Sequence, residues 1–190
     1  FAGGFGILQK PKSVSGWKGQ LTQLKVEGMW LSARSFSLQA PAPLVLAPGY
    51  VELTDFVLKG EDTSVLNNRI LRLANREIRV EGEMPQFYFP RMSPILRKQL
   101  TVEPKDLIAK VNWTYLANPN KVDGRVNIRH VSGGLQILDD SQVDVDIRTL
   151  TANLDFNREA ASVDLNILAD DFGAVTANLK LPVQQNPQTK

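Results

Sequence analysis

Val143-Asp144-Val145-Asp146-Ile147, followed after Arg148-Thr149 by Leu150-Thr151-Ala152-Asn153-Leu154-Asp155-Phe156, places an apolar side chain at nearly every second position. After Asn157-Arg158-Glu159 the alternation resumes through Ala161, Val163, Leu165 and Ile167, with Ser162, Asp164 and Asn166 between them. After Asp170-Asp171-Phe172-Gly173 it resumes again through Val175, Ala177, Leu179 and Leu181. A period of two is the mark of a β-strand, because successive side chains point to opposite faces. The short polar breaks carry turn chemistry, so the reading is of consecutive antiparallel strands.

The same pattern extends upstream. Leu107, Ala109, Val111, Trp113 and Tyr115 mark one face of a long strand, and Asn118-Pro119-Asn120 turns it into Val122, Gly124, Val126 and Ile128. Ser132-Gly133-Gly134 reads as the next turn, leading into Leu135-Gln136-Ile137-Leu138, and Asp139-Asp140-Ser141 as another. Nearer the start, Leu21–Val26, Phe36–Gln39, Val51–Leu58 and Ile78–Met84 are strand candidates, interrupted by Pro41, Pro43 and Pro48. Ser93-Pro94 followed by Ile95, Leu96 and Leu100 has the cap, first-turn proline and apolar spacing of a short helix. Leu66, Ile70, Leu73 and Ala74 fit either helix or strand. The polar end, residues 183–190, reads as a disordered tail.

Composition removes most enzyme classes. The chain has 190 residues, 43% hydrophobic and 22% charged, enough for one folded β-rich unit over residues 1–190. Lys plus Arg number 22 against 20 Asp plus Glu, for a net charge of +2, which argues against a dedicated nucleic-acid binder. Residues 1–100 hold 13 basic and 8 acidic side chains and residues 101–190 hold 9 and 12, so neither half is polybasic. With no Cys and His130 as the only His, disulfide frameworks, cysteine nucleophiles and multi-histidine metal sites are excluded. No apolar run approaches the ~20 residues of a membrane helix. The chain opens on Phe1 without a signal peptide and reads as a piece of something longer.

The remaining motifs are weak. Gly3-Gly4-Phe5-Gly6 matches neither nucleotide-binding fingerprint. The Asp139-Asp140 and Asp170-Asp171 pairs suggest calcium or paired-carboxylate catalysis, but both fall at turns, where Asp is favoured for backbone reasons. His130 near Ser132 lacks a nucleophile elbow and reads as a surface histidine. Arg69, Arg72, Arg76 and Arg79 alternate with aliphatics, which is the pattern of a solvated face and, less commonly, of a surface that touches lipid headgroups. Asn112-Trp113-Thr114 matches the glycosylation sequon but lies mid-strand. No catalytic residue, metal ligand or cofactor site is assigned.

A meander with one apolar face must cover that face, and the helical material is too short to do so. By pattern alone a closed β-sandwich or barrel, used as a structural or carbohydrate-binding module, is the commoner outcome. The sharper reading is all-β: a long curved antiparallel meander sheet folded into a trough with a hydrophobic interior, plus one short helix near residues 93–100. Its lining would be Val143, Val145, Ile147, Leu150, Ala152, Leu154, Phe156, Val163, Leu165, Ile167, Val175, Ala177 and Leu179. Such a surface solvates an acyl chain much as bilayer hydrocarbon does, at about 0.8 kcal/mol per methylene. Transfer from membrane to trough is then close to neutral, which suits a conduit that must release its cargo.

Gly16-Trp17-Lys18-Gly19-Gln20-Leu21-Thr22-Gln23-Leu24, Trp30-Leu31, and Leu38-Gln39-Ala40-Pro41-Ala42-Pro43-Leu44-Val45-Leu46 resemble the middle region of the TamB family. So do Val122-Asp123-Gly124-Arg125-Val126-Asn127-Ile128, Ser132-Gly133-Gly134-Leu135, and Leu150-Thr151-Ala152-Asn153-Leu154-Asp155-Phe156. These are the inner-membrane-anchored subunits of the translocation and assembly module, in the wider AsmA-like group. The resemblance covers residues 16–182 and rests on the order of short, degenerate elements. It implies a periplasmic, taco-like β-trough in a Gram-negative bacterium, without catalytic residues or cofactor. It further implies phospholipid transport between the two membranes or outer-membrane protein assembly, with the barrel protein TamA as partner of the full-length chain. Phospholipid acyl chains, or β-strands of client outer-membrane proteins, are the expected occupants. The stretch around residues 62–100 departs from a plain repeating trough.

Overall fold

The structure, a computed structural model, describes residues 2–8, 14–27, 35–60, 64–74, 76–89, 102–137 and 143–182. These form thirteen strands: β1 (Ala2–Leu8), β2 (Val14–Leu21), β3 (Lys25–Glu27), β4 (Ser35–Leu38), β5 (Ala42–Ala47), β6 (Tyr50–Gly60) and β7 (Val65–Ala74). There follow β8 (Glu77–Tyr88), β9 (Val102–Ala117), β10 (Val122–Ile137), β11 (Val143–Asn157), β12 (Ala160–Ala169) and β13 (Gly173–Pro182). All belong to one antiparallel sheet in the order β1-β2-β5-β6-β7-β8-β9-β10-β11-β12-β13. β3 pairs with β4, and β4 shares the edge of β6 with β5. Among the described residues β1 and β13 do not pair with each other, so the sheet is open and neither a barrel nor a two-sheet sandwich. The fold is therefore all-β, an antiparallel meander.

Sequence expectations and structure part at several places. The ambiguous stretch around Leu66 to Ala74 is the strand β7, with Leu71 and Leu73 on one face and Arg72 on the other. Ser132-Gly133-Gly134 is not a turn: β10 runs through it as one strand of 16 residues, and the glycines absorb an irregularity in the ladder. β5, absent from the sequence reading because of its prolines, carries Pro43 as its second residue, opposite Gln20 of β2 and one position before pairing with β6 begins at Leu44. The helix expected at residues 93–100, the Asp139-Asp140 turn and the tail at 183–190 lie outside the described residues.

Six consecutive strands each carry one inserted residue. Leu53 and Phe56 lie on the same face of β6 although three positions apart, with Asp55 between them at φ 48°. β7 shifts register at Arg69 between Asn68 and Ile70, and β8 shifts at Pro85-Gln86 between Met84 and Phe87. β10 shifts at Val131 between His130 and Ser132, β9 gains its residue at Asp106-Leu107, where Asp106 at φ 50° faces Gly133 of β10 at φ 84°, and β11 shifts at Arg148 between Ile147 and Thr149. A bulge bends its strand and increases the local twist. Without these insertions the parity of the apolar residues would put half of each strand's apolar side chains on the wrong face. With them, Val143, Val145 and Ile147 share a face with Leu150, Ala152, Leu154 and Phe156, through Ile147 opposite Ala169 and Leu150 opposite Ile167.

The bulges mark where the sheet is most crowded. Leu53, Phe56, Met84, Leu107 and Ile147, which flank them, expose only 2–6% of their surface. Leu53 and Phe56 join Phe36, Ala42, Leu44 and Leu58 in a core cluster at the N-terminal side, with Trp17, Leu38, Leu66 and Leu71 packed around it. Because bulges bend their strands, this line of them acts as a crease running across β6 to β11.

Candidate functional site

The site is the apolar face of the sheet, and its geometry follows from register. One row crosses ten strands: Gly19, Leu44, Leu53, Leu71, Val80, Tyr115, Gly124, Phe156, Ala161 and Leu181 are successive partners from β2 to β13. The adjacent row runs Phe56, Asn68, Gly82, Trp113, Val126, Leu154, Val163, Leu179. Asn68 is its polar member; it is buried and its Nδ2 donates to the Leu66 carbonyl at 3.3 Å. The rows run perpendicular to the strands, so a chain lying in them would touch one side chain per strand, about every 4.8 Å.

The opposite face is polar. Its corresponding row reads Lys18, Val45, Glu52, Arg72, Arg79, Leu116, Asp123, Asn157. Cross-strand pairs lace it: Arg125 to Asp155 at 2.5 Å, Lys110 to Glu83 at 2.6 Å, Asn127 to Asn153 at 2.8 Å, and Lys105 to Asp144. Lys110, with Asn67, holds the Glu83 carboxyl below its ordinary value, and Lys105 with Gln136 does the same for Asp144. Arg69, Arg72 and Arg79 belong to this part of the sheet: Arg72 donates to Glu77 at 2.7 Å and Arg79 to Glu81 at 2.7 Å, while Arg69 borders an open hollow of about 500 Å³ shared with Asp55, Asn67 and Glu83. Exposed pairs of this kind contribute little individually, because solvent screens them. They keep the outer face wet and leave the inner face as the apolar one.

All thirteen residues expected to line the trough fall on the inner face. They differ in access. Val145 and Ile147 are buried at the crease, whereas Leu150, Ala152, Leu154, Phe156, Val163, Leu165 and Ile167 are half-buried and Val143, Val175, Ala177 and Leu179 exposed. On β13, Val175, Leu179 and Leu181 expose 49%, 51% and 51%, so apolar side chains on this strand stand open to solvent. The structure adds Val111, Trp113, Tyr115, Val126 and Ile128 to the same face, through cross-strand partners on β9 and β10. Their period-two spacing carried that signal, but a face is common to several strands only once register is known.

The weaker candidates resolve into local structure. Asp170 and Asp171 lie in the turn between β12 and β13, and the Asp170 carboxylate pairs with Arg148. His130 Nε2 donates to the Gly133 carbonyl at 2.9 Å, tying the bulge of β10 to itself. Among the described residues no group of three or more His, Asp or Glu is placed to hold a metal ion. Comparison with protein-family models, curated proteins and solved structures finds no match.

Proposed function

We propose that the chain is a non-enzymatic hydrophobic conduit segment whose inner face shields phospholipid acyl chains on their way between the inner and outer membranes. The observation that carries this reading is the pair of rows across the sheet, apolar apart from Asn68 and open to solvent where they reach β13. An exposed apolar surface of this extent marks an interaction site, and hydrocarbon asks only for apolar contact. The resemblance to the TamB family supports the same reading. On that footing the chain is a periplasmic piece of an inner-membrane-anchored protein of a Gram-negative bacterium, working with TamA at the outer membrane.

A second reading has its own support. Among the described residues β13 is the outermost strand beyond β12 and is exposed along its length, so a strand of a client outer-membrane protein could add to its edge by main-chain pairing. The two readings differ in where contact occurs. Photo-crosslinkers at Leu154 and Leu165, on the inner face of β11 and β12, should capture phospholipid in cells, while one at Asn166, on the outer face, should not. Crosslinks to outer-membrane proteins from β13, with none to lipid at Leu154 or Leu165, would replace the first reading by the second.

A further inference from the structure

Two glycines lie within strands on the inner face, each opposite an aromatic residue of the next strand. A Cβ on Gly124 would stand 1.9 Å from Cζ of Phe156, and one on Gly82 would stand 2.6 Å from Cζ2 of Trp113. Neither has a positive φ, so the backbone does not demand glycine there; the space does. Tyr115 flanks Gly124 from β9, with its ring centroid 6.1 Å from that of Phe156 and the planes tilted by 30°. The rings therefore lie down over the glycines instead of standing up into the space above the sheet.

We propose that Gly124, and with it Gly82, sets the depth of the trough by seating the Phe156 and Trp113 rings low, which leaves room above them for a hydrocarbon chain. This rests on the acyl-chain reading given above. A ring laid over a strand glycine also shields that glycine's backbone, an ordinary stabilising device. That role alone would move stability and leave capacity for an occupant unchanged. The depth role makes a separate claim. Real Cβ atoms essentially never approach another heavy atom within 3.0 Å, so any side chain at Gly124 must move the Phe156 ring tip outward or over Ala161, by about 1 Å or more. Either movement takes space from the row that holds Leu154 and Val163.

The experiment uses the whole chain with dipalmitoyl phosphatidylglycerol as probe, bound lipid being counted by native mass spectrometry. Gly124→Val should lower bound lipid about fivefold or more, and Gly124→Val combined with Phe156→Ala should restore it, since no ring remains to be displaced. In the wild type the Gly124 Hα resonance should be shifted upfield by the ring above it, and Phe156→Ala should abolish that shift. Wild-type binding by Gly124→Val, or a folded double variant no better than the single one, would overturn the proposal. A wild type that binds lipid without the ring shift removes the seat alone. A wild type that shows the ring shift but binds no lipid overturns the acyl-chain reading, and the depth claim with it.

Discussion

Gly133→Ala tests the crease directly, because two separable costs act at that position. Gly133 has φ 84°, in the left-handed region, where an L-residue pays about 1–2 kcal/mol relative to glycine. Its added Cβ would also stand 2.0 Å from the backbone oxygen of Asp106, itself held at φ 50° in the facing bulge. That oxygen cannot swing aside as a flexible side chain would. Opening the gap to 3.0 Å needs a 1.0 Å backbone shift, an overpacking cost of about 1–3 kcal/mol. About 3 kcal/mol in total lowers the midpoint of thermal unfolding by about 6–12 °C for a chain of this size. Gly173→Ala is the internal control: φ is 73°, but nothing lies within 4 Å of the added Cβ. Its backbone cost is partly offset by the reduced freedom of the unfolded chain, leaving a fall of about 1–4 °C. Circular dichroism melts of the two variants beside the wild type give the comparison. Equal falls would mean that β9 and β10 do not approach closely at the bulge, and the crease would lose its firmest contact.

Three further outcomes follow from the same geometry. Phe156→Glu places a carboxylate on the inner face and should abolish lipid binding, while Thr151→Glu, between Arg129 and Asn166 on the outer face, should leave it intact; equal effects would mean that the faces are assigned wrongly. Deleting Arg148 puts Thr149 directly between Ile147 and Leu150, keeping the apolar alternation but removing the bulge. The chain should stay folded and change its small-angle scattering profile toward a flatter particle, and an unchanged profile would count against bending at the crease. The Glu83 carboxyl is held below its ordinary 4.5 by Lys110 and Asn67, so the stability it contributes is present above about pH 4.5 and lost as pH falls through its lowered folded value. The gap in melting midpoint between wild type and Glu83→Gln should therefore be widest near neutrality and close in acid; a gap that is constant with pH would show the pair to be idle.

The strands from Val143 onward are legible in the sequence because their apolar residues alternate and their breaks carry Asn, Asp and Gly. The bulges left a mark too, a pair of residues between apolar ones, as in Thr54-Asp55 or Arg148-Thr149. That mark is ambiguous by nature. The same chemistry that absorbs a register shift also makes a turn, and Ser132-Gly133-Gly134 reads more naturally as a turn until Asp106 is seen facing it. β5 was hidden for a different reason: its prolines argue against a strand, yet Pro43 is only the second residue of β5 and precedes the start of its pairing with β6 at Leu44. For the site, alternation showed which residues share a face of one strand. It could not show that Gly82 and Gly124 lie under aromatic rings, because that contact joins residues 31 or 32 positions apart.

The central claim is that the inner face holds hydrocarbon, and native mass spectrometry of the chain purified from a Gram-negative host without detergent tests it most directly. The prediction is a co-purifying phospholipid, lost in Phe156→Glu and retained in Thr151→Glu. A chain that emerges lipid-free, and then binds neither added phospholipid nor anilinonaphthalene sulfonate, would contradict it.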